Sequence, residues 1–242
     1  MYSVFVKEIR SFLSSLIAYV VIIVFLLAIG LFMWVFPGYN VFDGGYANLD
    51  TLFNIAPWVF IFLISAITMR SFSEEKKSGT IELLTTKPLT DWQIVLAKYF
   101  ASIVLVLFSL IPTIIFYFSV YKLSNPVGNL DTGAIMGSYI GLFFLGAVYA
   151  SIGIFASAVT DNQIVSFLVS MFLCFFLYQA FSLLSDFKLF GSYDRLVEWF
   201  SIETHYKNIS VGVVDSRDVL YFFSVIIIFL WGSKTVFGSR KW

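Results

Sequence analysis

Six long apolar runs separated by short polar breaks set the pattern of the chain. Leu16 to Phe36 contains no ionisable residue, and Leu52 to Met69 follows it, running on into a polar tail at residue 72. Further runs are Tyr99 to Tyr121, Ala134 to Val159, Ile164 to Leu184 and Val219 to Phe237. Each is close to the roughly 20 residues that a helix needs to cross a hydrocarbon core about 30 Å thick. The breaks carry turn chemistry: Pro37-Gly38, Ser78-Gly79, Asn125-Pro126-Val127-Gly128, Asp161-Asn162 and Gly191-Ser192. The pattern predicts an all-α integral membrane protein with six transmembrane helices over 16–36, 52–72, 99–121, 134–159, 164–184 and 219–237. The runs fill residues 1–242 as one transmembrane domain and leave no room for a soluble domain of ordinary size.

Two amphipathic stretches complete the architecture. From Val4 to Leu16, helical spacing puts Phe5, Ile9, Phe12, Leu13 and Leu16 on one face and Ser3, Lys7, Arg10, Ser11 and Ser14 on the other. This predicts an N-terminal interface helix lying on the membrane surface. The apolar run behind it is too long for a signal-peptide core and lacks a small-residue cleavage site, so it reads as an anchor. Between Ser185 and Arg217, Tyr193, Leu196, Val197 and Phe200 recur at helical spacing with Trp199 beside them. Asp186, Asp194, Glu198 and Glu203 keep one side wet, giving a re-entrant or interfacial outer segment before the last span, with His205 as a surface residue.

Within the spans, small residues four apart (Gly137/Gly141, Ala147/Ser151, Gly153/Ser157) allow close helix approach. They serve either packing within the chain or a seam with a second subunit. Pro57 and Pro112 each remove a backbone hydrogen bond, with or without a hinge role. Asn54, Ser65, Thr68, Ser109 and Thr113 are expected to bond to nearby backbone rather than to line a path.

Composition agrees with lipid as the solvent: 60% of residues are hydrophobic, 12% are charged, and 29 are Phe. Soluble domains carry roughly 25% charged residues. Cys174 is the single cysteine and His205 the single histidine, which excludes an internal disulfide and a multi-histidine metal site. Zero net charge gives no reason to expect nucleic acid as a partner. With the N-terminus inside, ten Lys and Arg residues fall on the cytoplasmic side and five on the outer side, so both termini are expected in the cytoplasm. Apart from Lys234, no Asp, Glu, Lys, Arg or His falls inside the six apolar runs. That disfavours a proton-driven antiporter, and a membrane enzyme lacks a converging acid, base or nucleophile.

The stretch from Arg70 to Lys98 holds the candidate chemistry. A charged helix is expected to stop at Gly79 in a left-handed turn, a short helix fits Thr80 to Thr86, and Pro88 prevents its continuation. Thr90 and Gln93 have the form of a capping box, with Leu89 and Ile94 as its hydrophobic staple. The run Glu74-Glu75-Lys76-Lys77-Ser78-Gly79-Thr80-Ile81-Glu82-Leu83-Leu84, followed by Pro88-Leu89-Thr90-Asp91-Trp92 and Lys98, resembles the ABC-2-type family of ABC-transporter permease subunits. The resemblance implies that Glu74, Glu75, Gly79, Thr80, Glu82, Leu83 and Pro88 build a coupling helix seated on a separate ABC ATPase. It also implies that the N-terminal helix touches that ATPase. More narrowly, Thr85-Thr86-Lys87-Pro88-Leu89 and the compact length are similar to the gliding-motility-associated permeases. These are proposed to act with a second, permease-like membrane subunit, identical or different. No G-x-x-x-x-G-K-[ST] loop is present, so no cofactor is expected on this chain and Mg-ATP belongs to the partner. The implied protein is an exporter-type permease subunit in a bacterial inner membrane. The alternative is a scaffold for a surface motility machine that moves no solute.

Overall fold

The computed structural model describes residues 1–86, 88–186 and 198–239, apart from the side chains of Leu83, Thr85 and Asp186. Tyr193, Leu196, Val197, the Gly191-Ser192 break, Lys87 and the side chain of Leu83 therefore lie outside the described residues. Every element among the described residues is helical. Six segments are long and apolar enough to cross a membrane.

A short helix α1 (Tyr2–Leu13) precedes the first span, α2 (Leu16–Trp34). The second span, α3 (Asp50–Thr68), is followed by two one-turn helices, α4 (Ser73–Lys77) and α5 (Ile81–Thr85). The third span is α6 (Asp91–Leu110), a 3-10 turn at Ile111–Thr113, and α7 (Ile114–Leu123). The interruption falls at Pro112, where Thr113 Oγ1 donates to the Leu110 carbonyl at 2.6 Å. Pro57, the eighth residue of its own helix, leaves α3 unbroken. The fourth span is α8 (Thr132–Val159). The fifth comprises α9 (Gln163–Phe175), a π turn at Phe176–Ala180 and α10 (Phe181–Asp186). A short helix α11 (Ile202–Ser210) then leads to the sixth span, α12 (Ser216–Ser239).

The core forms around α8, where 18 of 28 residues are buried, against four of 19 in α2. Its small side chains explain this central place. A Cβ at Gly153 would overlap Thr68, one at Gly146 would come within 2.7 Å of Val106, and one at Gly137 would come within 2.6 Å of the Gly212 Cα. At Gly141 the neighbours are Tyr206 and Ile209, at 3.4 Å. The glycines of α8 thus admit α3, α6 and α11, all within the chain.

The chain breaks between α1 and α2 rather than running as one helix to Leu16. Ser14 Oγ turns back to the Ser11 carbonyl at 3.0 Å and Ser15 is extended, so serine competes with the helical ladder there. The face of α1 turned to the bundle carries Val4, Glu8 and Phe12, four residues apart, with Phe5 and Ile9 at its sides. Leu13 is exposed, as is Leu16. Amphipathic spacing grouped Phe5, Ile9 and Phe12 but left out Val4, the buried residue of α1, and could not anticipate that a carboxylate shares this face.

Candidate functional site

The connection between the second and third spans folds back onto the bundle through groups from four elements. Beyond α3 the chain turns so that the amides of Phe72 and Ser73 donate to Ser157 Oγ at 2.9 and 3.1 Å. That hydroxyl in turn donates to the Met69 carbonyl at 3.1 Å. Lys76 Nζ donates to the Ala158 carbonyl at 2.6 Å and lies 3.3 Å from Asp161. One end of α8 therefore holds α4 by both backbone and side chain.

The opposite side of α4 meets α1 and α6 in a cluster of alternating charge. Lys98, about two turns into α6, is 1% exposed. Its Nζ lies 2.8 Å from Glu8 Oε1, 2.9 Å from Glu75 Oε2 and 2.5 Å from the Ser71 carbonyl oxygen. The Phe72 ring, 4.9 Å from the ammonium, closes the remaining side. Lys7 Nζ adds a 2.5 Å contact to Glu75 Oε1. Burial lowers the Lys7 pKa, but the hydrogen bond and charge of Glu75, with Glu8, outweigh it and hold the ammonium above its ordinary value. A buried lysine persists as a cation only with such partners.

Glu75 is thus placed inside, at 6% exposed, as part of the anchor and not on the outer surface. Glu74, Gly79, Thr80, Glu82 and Pro88 are exposed together with Lys77 and Ser78. Gly79 has φ +70°, the left-handed turn that an L side chain resists. Ser78 and Thr80 hydroxyls pair at 2.9 Å across it. Leu84, on α5 itself, is buried. Thr90 and Gln93 form the full capping box: Gln93 N donates to Thr90 Oγ1 at 3.3 Å and Thr90 N to Gln93 Oε1 at 3.1 Å. Ile94 is buried and Leu89 packs on the core. The arrangement is a short outward face, Glu74 to Glu82, mounted on a buried, hydrogen-bonded base.

At the other end of the bundle, His205 is not a surface residue. It is 2% exposed, with Nδ1 2.6 Å from Asp218 Oδ1 and Nε2 2.8 Å from the Trp199 carbonyl oxygen. Its ring stacks on Tyr221 at 3.9 Å. Asp218, in the first turn of α12, was too far along the sequence for its pairing with His205 to be read from spacing. The two residues tie α11 to α12. Tyr206 Oη adds a bond to the Phe53 carbonyl at 2.7 Å, which fixes α11 to the start of α3.

Residues 37–203 match the model of a family described as ABC-2 family transporter protein. The match spans well over half of the chain. The chain belongs to the ABC-2 transporter family. No curated protein matches it. As an ABC-2 chain it is a multi-pass membrane protein and the permease subunit of an ABC transporter, the membrane partner of an ABC ATPase and not the ATPase itself. The match takes in the whole connection from Met69 to Thr90 and omits α1, α2, α12 and all but the first two residues of α11. The Lys98 cluster therefore joins a residue of the matched region to Glu8 of α1, outside it.

Proposed function

We propose that the face from Glu74 to Glu82, continued at Pro88, is the seat of a separate ATPase, and that the connection behaves as a coupling helix. The single observation carrying this reading is the contrast between its two sides. Outward, Glu74, Gly79, Thr80 and Glu82 are exposed. Inward, the Ser157 bonds and the Lys98 cluster join the neighbouring Ser71, Phe72, Ser73 and Glu75 to α8, α1 and α6. A surface that receives force needs such a stiff mounting. Glu75 enters as a transmitting residue and not as a contact. Leu83 is assigned here by the family resemblance alone.

In this reading, nucleotide-driven closure of the ATPases displaces the connection and rocks α3, α6 and α8 as a unit. Mg-ATP is bound by the partner. A second permease-like subunit, identical or different, completes the path. The Lys and Arg distribution supports an inner-membrane orientation with both termini cytoplasmic. Phe72 meets Phe237 near the end of α12 in a tilted ring pair at 5.1 Å, and Glu8 reaches Lys98, so both ends of the described chain share the side of the connection. Exporter direction and a role in gliding motility rest on the resemblance of the Thr85–Leu89 run.

The test is co-purification in mild detergent. Wild type is expected to bring an ABC ATPase with it, and Glu82→Lys and Gly79→Pro are expected to lose it while still folding. Undiminished association with both variants sinks the coupling role.

A further inference from the structure

A cavity of about 210 Å³ opens between α3, the π turn and α11, at the end of the bundle remote from the connection. Its lining includes Asn54, Trp58, Tyr178, Glu203, Tyr206 and Lys207. Near 30 Å³ for a water molecule in the liquid, that space suits a small polar headgroup and not a drug-sized molecule.

The walls are held in place. Tyr206 is fixed by its bond to the Phe53 carbonyl, and α11 sits against the glycines of α8. Trp58 and Tyr178 meet edge to face at 5.5 Å. The π turn shifts the helical register so that Tyr178 is buried, and such turns are frequent at functional sites.

Glu203 gives the cavity its chemistry. It is 9% exposed, and its Oε2 is covered and accepts no hydrogen bond. Its Oε1 is met at 2.5 Å by Lys207, a side chain 64% exposed at the rim. A buried carboxylate oxygen left without a donor is costly, and one lysine that remains largely in water compensates it weakly. The exposed Asn54 side chain adds a polar group to the lining. A carboxylate with spare acceptor capacity among Trp and Tyr rings selects a cation: the rings attract positive charge through their faces, and the carboxylate repels anions. Because the unfilled valence is an acceptor, the fitting cation is one that carries N–H.

We propose that this cavity binds a primary ammonium group, with Glu203 as the accepting carboxylate and Trp58, Tyr178 and Tyr206 as its aromatic wall. The site stands apart from the ATPase-coupling reading and is tested without an ATPase. Trp58 is partly exposed on the outer surface of α3, so the group can arrive on an ethanolamine phospholipid headgroup or as a free amine.

The experiment is calorimetric titration of the full chain in detergent with short-chain ethanolamine, choline and glycerol phospholipids, and with free ethanolamine. The ethanolamine phospholipid should bind about tenfold more tightly than its choline counterpart, the difference expected for one charge-assisted hydrogen bond. Glu203→Gln, which preserves shape, should abolish that preference. Binding of the lipid alone identifies a headgroup site, and binding of free ethanolamine as well identifies a site for soluble amines. Equal binding of choline and ethanolamine forms, absence of any binding, or a preference retained in Glu203→Gln overturns the proposal. Should Glu203→Gln lower the melting temperature too far for titration, Trp58→Leu leaves the carboxylate in place. It should weaken the ethanolamine form several-fold, and unchanged affinity is equally fatal.

Discussion

At Lys98 an ammonium whose side chain has no exposed surface is shared between two carboxylates and a backbone carbonyl. Removing one member of such a cluster strands the others. Lys98→Met keeps most of the stem volume but leaves Glu8 and Glu75 with Lys7 alone, so it should destabilise the chain by about 3–5 kcal/mol, read as a lower melting midpoint in detergent. The triple replacement Glu8→Gln, Glu75→Gln and Lys98→Met should recover much of that loss, because a buried cluster removed whole is often neutral. Lys7 permits a pH prediction with a definite sign. Its pKa is raised in the fold, so its contribution is complete below the unfolded value of about 10.4 and is lost as pH rises through the folded value. Spin labels on α1 and α6 should report one fixed separation between about pH 7 and 9 and a broadened one only in strong alkali. Broadening already in the neutral range would contradict the assignment of Lys7 to the cluster.

Between the spans, small elements are held by single atoms. Ser157 Oγ accepts the amides of both Phe72 and Ser73, and Ser157→Ala leaves both donors buried, at about 1–3 kcal/mol each. Hydrogen exchange should accelerate across α4 while an ATPase still co-purifies, since Glu82 and Gly79 are untouched; unchanged exchange there would show that α8 does not hold the connection. The capping box at Thr90, the left-handed turn at Gly79 and the stop at Pro88 could all be read from the sequence because each is a local rule with a fixed offset. Ser157 could be read only as a small residue four from Gly153, since its hydrogen-bond partners lie 84 and 85 positions away. Lys98 was legible as a positive charge but not as a buried one: Glu8 is 90 residues distant. His205 was misjudged for the same reason, and the buried place of Glu75 was equally illegible, as their neighbours come from other elements. Self-bonding of Thr68, Ser109 and Thr113 to their own helices was foreseeable, because hydroxyls in apolar helices reach the preceding turn.

On the scale of the whole molecule, the connection and the α11 helix occupy opposite ends of α8, with glycines serving both. Gly137→Ala places a methyl group where Gly212 and the Ile209 carbonyl lie, an overpacking cost of about 1–3 kcal/mol. Combined with Lys98→Met, its effect on stability should add to within about 0.5 kcal/mol, because the two sites share no partner; strong non-additivity would show that the two ends communicate through the resting fold. The central place of α8 also bears on how the chain is built. It is made after α3 and α6, so these two wait in lipid with their inward faces uncovered until it arrives. Apolar side chains lose little by that wait, since lipid is as apolar as the core, but an unsatisfied hydroxyl would lose a great deal. Thr68 on α3, Ser109 on α6 and Ser151 on α8 each donate to a carbonyl of the preceding turn in their own helix. Each span thus enters the bilayer with these hydroxyls already satisfied, and the order of synthesis imposes no polar penalty on assembly at those positions.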